Sequence, residues 1–213
     1  MRLILFDIDG TLVPGRGSEP RFAAYLWRHR HLGPRQVAGF LGYLLRYLPR
    51  YGRSILQKNK AYLAGLGTGE VRGWAQDFVA TDLLPILHPP TVSRLRAHVE
   101  AGDRVWLLSG TPQFIAAPLA DALGAHGAYG ALCAERDGVF RAASPLRHPY
   151  GPSKVTAARE IAAGAGLPLD EAIAYGDSIN DAHLFRAVGR SVAVMPDRRL
   201  REAARGEDWE LLG

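Results

Sequence analysis

Cysteine is almost absent from this sequence: Cys133 is alone among 213 residues, which excludes an internal disulfide and any multi-cysteine metal site. Its neighbours Leu132 and Ala134 are apolar, so it reads as a small buried residue rather than a nucleophile. Long apolar runs are missing too. A membrane-spanning helix needs roughly 18 to 20 apolar residues, and the richest run here, Val37 to Leu48, is broken by Arg46. No secretory leader is read at the amino end, because Asp7 and Asp9 arrive before an apolar segment is complete. The expected location is the cytoplasm. Lysine is scarce, 3 against 23 arginines, a skew that points to coding composition more than to mechanism.

What is present is the ordinary mixture of a globular protein, 47% hydrophobic and 22% charged, enough for a real core and too little bias for a disordered or fibrous chain. At this length one large domain, or a core carrying a smaller insert, is expected. The net charge of +5 is unevenly placed. Residues 15–85 hold 11 basic and 4 acidic side chains, a balance of +7, which leaves −2 for the rest. A basic module set within an acidic one is the simplest division.

Leu3-Ile4-Leu5-Phe6 is a continuous apolar run, the pattern of a strand buried on both faces. Similar runs occur at 105–108, 172–175 and 191–194, alternating with helical periodicity over 91–101, 113–123 and 154–165. This alternation predicts an α/β fold, a doubly wound Rossmann-like parallel sheet with helices on both faces. Pro118 argues against a smooth second helix. The basic segment reads as helices only, with apolar stripes at Phe22/Tyr25/Leu26, Val37/Phe40/Leu41/Leu44/Leu45/Leu48, Ile55/Leu56/Tyr62/Leu63 and Val71/Trp74/Phe78, punctuated by Gly33-Pro34, Pro49, Gly67 and Pro85. Expected boundaries are 1–14 with 86–213 for the core and 15–85 for the inserted bundle. Asp137-Gly138, between two β-leaning runs over 129–141, predicts a hairpin.

The chemistry concentrates at strand ends. Asp7-Ile8-Asp9-Gly10-Thr11 follows the first strand, where open α/β sheets bind ligands. One carboxylate can attack phosphorus; a second nearby can protonate the leaving oxygen and then activate water. Ser109 and Gly110 end the next core strand and suit a phosphoryl oxygen. Lys154 opens a helix and can neutralise both the phosphoryl group and the attacking carboxylate. Asp177 and Asp181, after a further strand, can complete an oxygen-rich magnesium shell.

In this order the four pieces resemble the haloacid dehalogenase superfamily of phosphohydrolases, and the tail from Gly176 through Trp209 resembles its phosphoserine-phosphatase-like subfamily IB. The resemblance implies a magnesium-dependent phosphomonoester hydrolase working through an aspartyl-phosphate, with Asp7 as nucleophile and Asp9 as acid/base. It implies Gly10, Thr11, Ser109, Gly110, Lys154 and Asn180 around the phosphoryl group. Magnesium would be held by Asp7, the Asp9 backbone carbonyl and Asp177, with Asp181 supporting from behind. The helical insert corresponds to a C1-type cap.

One departure bears on the substrate. Phosphoserine phosphatases usually place an acid just after the first motif to hold the ammonium; here Arg16 comes first and an acid only at Glu19. Arg16, Arg50 and Arg53 are therefore the arginines expected to meet a second anionic group, Arg16 first among them. The expected partner is a small anionic phosphate ester, with no nucleic acid. Two rival readings stand beside the hydrolase: a phosphotransferase handing the phosphoryl group to an alcohol, and an RNA- or membrane-surface-binding protein with a vestigial core, for which Arg46, Arg50 and Arg53 interleaved with aromatics is the motive.

Overall fold

Leu3–Phe6 forms β1, and all four side chains are buried. Strand alternation sends Ile4 and Phe6 to one face and Leu3 and Leu5 to the other, so β1 seeds two separate apolar clusters. Each fully buried side chain of this kind stabilises the fold by about 1.5–3 kcal/mol. The computed structural model describes residues 1–51 and 60–213, without the side chains of Arg35, Tyr47, Arg50 and Tyr51. The expected helical stripe at Ile55 and Leu56, and Arg53 with it, lie outside the described residues.

Further strands follow as β2 (Arg104–Pro112), β3 (Gly127–Ala131), β4 (Glu135–Arg136), β5 (Val139–Phe140), β6 (Ile173–Gly176), β7 (Arg190–Val194) and β8 (Glu210–Leu212). Six of them form one sheet in the order β3-β2-β1-β6-β7-β8, every neighbouring pair parallel. The chain winds outward from β1 through β2 to β3, returns to the other side of β1 at β6, and winds outward again. That reversal opens a crevice at the carboxyl ends of β1 and its two neighbours.

The first face of the sheet is covered by α1 (Ser18–Arg28), α3 (Thr68–Phe78), α4 (Pro89–Glu100) and α5 (Gln113–Leu123), whose buried side chains share a cluster with Ile4, Phe6 and Val105. The other is covered by α6 (Ser153–Ala165), where Ala157, Ala158, Ile161 and Ala162 meet Leu3, Leu5 and Ala174. Pro118 does not interrupt α5, because Ile115, Leu119 and Leu123 are buried along the helix and outweigh one lost backbone bond.

Three expectations need correction. The hairpin is confined to β4 and β5, where Asp137 and Gly138 take φ of 54° and 74° at the turn. Tyr129 belongs instead to β3, opposite Leu108 in the main sheet. The apolar stripe of α2 (Pro34–Tyr51) is covered only in part: Val37, Leu41, Leu45 and Leu48 are exposed, while Phe40 packs against the main cluster and Leu44 against a small cluster of Tyr43 and Ala61. Pro49 lies within α2 rather than ending it. The other inserted helices pack inward, with Phe22 tilted against Phe78 and Phe114 at centroid distances of 5.3 and 5.5 Å.

Candidate active site

At the end of β1 the Asp7 N–H still donates to the Tyr175 carbonyl at 2.9 Å, so Asp7 is anchored to the end of β6. The chain then turns tightly, with Leu12 and Val13 donating back to the Ile8 carbonyl. Gly10 takes φ +92°, and a β-carbon there would fall inside the Asp177 carboxylate. Only glycine lets the first and the last motif approach this closely.

Asp7 is 9% exposed. Its Oδ1 lies 3.0 Å from Lys154 Nζ, an ion-pair distance, and has no hydrogen-bond partner among the described residues. Burial pushes the Asp7 carboxyl up to about 6, with Lys154 opposing and Asp181 and Asp9 adding to the rise. Lys154 is itself buried, which disfavours its charge, yet Asp181 and Asp7 outweigh that loss and hold the ammonium protonated beyond its usual range.

Asp181 is fully engaged: Oδ1 accepts from Lys154 Nζ at 2.5 Å, and Oδ2 accepts from the Asp177 and Ser178 N–H groups at 3.3 and 3.2 Å. It braces Lys154 and the β6 loop together. Asp177 accepts from Thr11 Oγ1 at 3.3 Å. Its carboxyl is pushed up to about 8, by burial first and then by Asp7 and Asp181. One oxygen from each of Asp7, Asp177 and Asp181 lies within 4.8 Å of the others. An all-oxygen donor set with an orphaned carboxylate oxygen and mutual repulsion fits a hard divalent cation such as magnesium.

Asp9 is held on both oxygens, by the Ser18 N–H at 2.7 Å and by Thr111 Oγ1 at 3.0 Å. Thr111 also contacts Ser109 Oγ at 3.2 Å and Ser18 Oγ at 3.1 Å. Thr111 and Ser18 were not singled out from the sequence. Thr111 does carry a sequence signal, since residues two apart on an extended strand share a face and Ser109 lies two before it.

A cavity of about 310 Å³ brings together Asp7, Asp9, Ser109, Gly110, Lys154 and Asn180, adding Gly17, Glu19, Pro20, His148, Tyr150 and Ser178. Arg16 is exposed and is not among the lining residues. The side chain of Arg50, like all of Arg53, lies outside the described residues. His148 and Tyr150 give no periodic or motif signal. Cys133 is buried, as expected, and burial pushes its thiol up to about 12, which leaves it protonated and inert.

Comparison with known proteins gives the family and the fold. The model of the haloacid dehalogenase-like hydrolases matches residues 4–186. A Mycobacterium tuberculosis protein named phosphoserine phosphatase SerB1 is 32% identical over 213 residues, covering 97% of this chain and 68% of its own length. A Bordetella pertussis structure of unknown function superposes with a TM-score of 0.82 at 31% identity, covering 100% of this chain and 98% of that one. A phosphoserine phosphatase in a phospho-aspartyl intermediate analogue shares the fold, with a TM-score of 0.61 at 19% identity over 99% of this chain and 92% of that one.

Proposed function

The chain belongs to the haloacid dehalogenase-like hydrolases and is a phosphatase, and on that premise we propose that it hydrolyses small phosphate monoesters through an aspartyl-phosphate on Asp7. The observation that carries this reading is the buried Asp7 carboxylate in ion pair with Lys154 at the edge of a cavity that also holds Asp9 and Ser109. Lys154 keeps a positive charge beside Asp7, offsetting the repulsion between a carboxylate and an incoming phosphoryl dianion.

Asp7 attacks phosphorus as the ester P–O bond breaks, and Asp9 gives its proton to the departing alkoxide. Water then attacks the phosphorus of the acyl phosphate. Asp9, oriented by Ser18 and Thr111, takes the water proton, and Asp7 is released as carboxylate with free phosphate. Ser109 and the Gly110 N–H serve the phosphoryl oxygens, with Asn180 beside them. Asp7 and Asp177 would hold magnesium with the Asp9 carbonyl, the ion supplying charge neutralisation at the phosphoryl oxygens. Asp181, tied to Lys154 and two backbone donors, acts by positioning. The described residues among 15–51 and 60–85 serve as the cap, reaching the cavity through Gly17, Glu19 and Pro20. Among the described residues no helix is long and apolar enough to cross a membrane.

Asp7→Asn keeps the side-chain volume but cannot attack, so turnover should disappear while magnesium and substrate binding stay measurable. Residual activity within tenfold of the parent overturns the assignment. Asp9→Asn should slow an alkyl phosphate by roughly a hundredfold or more, and p-nitrophenyl phosphate less, because nitrophenolate departs without a proton. Phosphate release equal with and without added alcohols marks a hydrolase; phosphorylated alcohol as the main product marks a phosphotransferase.

A further inference from the structure

Lys60 is among the largest fully buried side chains, 1% exposed, and the reaction above gives it no part. Its ammonium pairs with Glu19 Oε2, while Tyr62 Oη donates to Glu19 Oε1 at 3.1 Å. Glu19 lines the cavity and directly follows Ser18, whose N–H holds Asp9. Burial pushes the Glu19 carboxyl up, and Lys60 pulls it back. A buried ammonium is costly unless a carboxylate meets it, so the two charges depend on each other.

The consequence for a ligand is electrostatic. A bare Glu19 would offer its carboxylate to any ammonium carried by the leaving group. Here both oxygens are taken by the protein's own donors, with a positive charge in contact, so the Glu19–Lys60 pair presents no net charge to the cavity. Lys60 offers nothing to an anion either, because its side chain is only 2% exposed and is not among the lining residues.

We propose that the Glu19–Lys60 pair sets the charge selection of the cavity, which favours phosphate monoesters of uncharged alcohols over esters whose leaving group carries an ammonium. This rests on the phosphatase reading of the same cavity. Lys60 is a positioning residue: it acts on the ligand only through Glu19.

The test is a matched set of specificity constants on the full chain with magnesium, for glycerol 3-phosphate, phosphoethanolamine, phosphoserine and p-nitrophenyl phosphate. The parent should favour glycerol 3-phosphate over phosphoethanolamine by tenfold or more. Lys60→Met removes the fixed counter-charge and leaves Glu19 with Tyr62 alone, so at pH 8, where a ligand ammonium can take the place of Lys60 beside the carboxylate, the phosphoethanolamine-to-glycerol 3-phosphate ratio should rise at least tenfold. Adding Glu19→Gln to Lys60→Met should return the ratio to the parent value. A ratio compares two substrates on one preparation, so a general loss of folded protein cancels. An unchanged ratio in a Lys60→Met protein with a cooperative melt overturns the proposal. If that variant does not fold, the parent decides alone: a preference for phosphoethanolamine or phosphoserine overturns the proposal, and tenfold selection for glycerol 3-phosphate supports it. Absence of phosphate release from every ester, p-nitrophenyl phosphate included, overturns the catalytic reading beneath it.

Discussion

Gly10 shows how tightly single residues are specified here. Its φ of +92° and its contact with the Asp177 carboxylate both forbid a β-carbon. Gly10→Ala should therefore push the first and last motifs apart and lower kcat/KM for p-nitrophenyl phosphate by roughly a hundredfold, the scale of loss expected when reacting groups shift by about 1 Å. Wild-type turnover in the alanine variant would mean that the loop yields freely. Asp7, Asp9 and Gly10 were legible in the sequence because they are contiguous and follow an apolar strand directly. Asp177 was legible because it directly follows an apolar strand, and Asp181 because it lies one short turn beyond it. The Glu19–Lys60–Tyr62 contact was not, since it joins the start of one inserted helix to a turn 41 residues later and no spacing rule links them. Arg16 looked like a ligand group because it follows the nucleophile loop, yet proximity along the chain does not fix direction, and its side chain is exposed.

Among the elements, the central strands were legible because each contains a continuous apolar run, as burial on both faces requires. The strands at the two edges were not. β3 reads Gly-Ala-Tyr-Gly-Ala and β8 Glu-Leu-Leu, with no β-branched residue between them and only part of their surface buried. Helix α2 shows the opposite failure. Its periodicity is strong, yet periodicity states which residues share a face and not whether anything covers it. Leu45 is 81% exposed. Leu45→Glu should change the unfolding free energy by no more than about 0.5 kcal/mol, as exposed sites do, whereas Phe22→Ala, at a fully buried aromatic junction, should cost about 3–5 kcal/mol. Chemical denaturation of the two variants makes the comparison, and a larger loss for Leu45→Glu would show that the face is covered in solution.

Over the whole molecule, the crowded carboxylates make the site a place where stability is given up for chemistry. Asp177 has a carboxyl near 3.8 when unperturbed and about 8 in the fold, and Asp7 is raised to about 6. Because the folded state binds the extra protons, their contribution to stability is present below about pH 4 and is lost as pH rises through these values. Protein stripped of divalent cations should therefore melt at lower temperature at pH 8 than at pH 5, and magnesium should restore most of the difference. Asp177→Asn should flatten the pH dependence and raise the melting temperature of the stripped protein at pH 8; a fall instead would contradict the repulsion. The sheet order also has a consequence for synthesis. Leu3–Phe6 pairs with residues 104–107 on one side and with residues 173–175 on the other. At about 5–20 residues per second, translation leaves this apolar segment with an unpaired edge for on the order of ten to thirty seconds. The strand that leads into the proposed nucleophile is thus made long before its second partner, and a nascent chain stalled anywhere before residue 173 presents Leu-Ile-Leu-Phe to whatever chaperone waits at the ribosome.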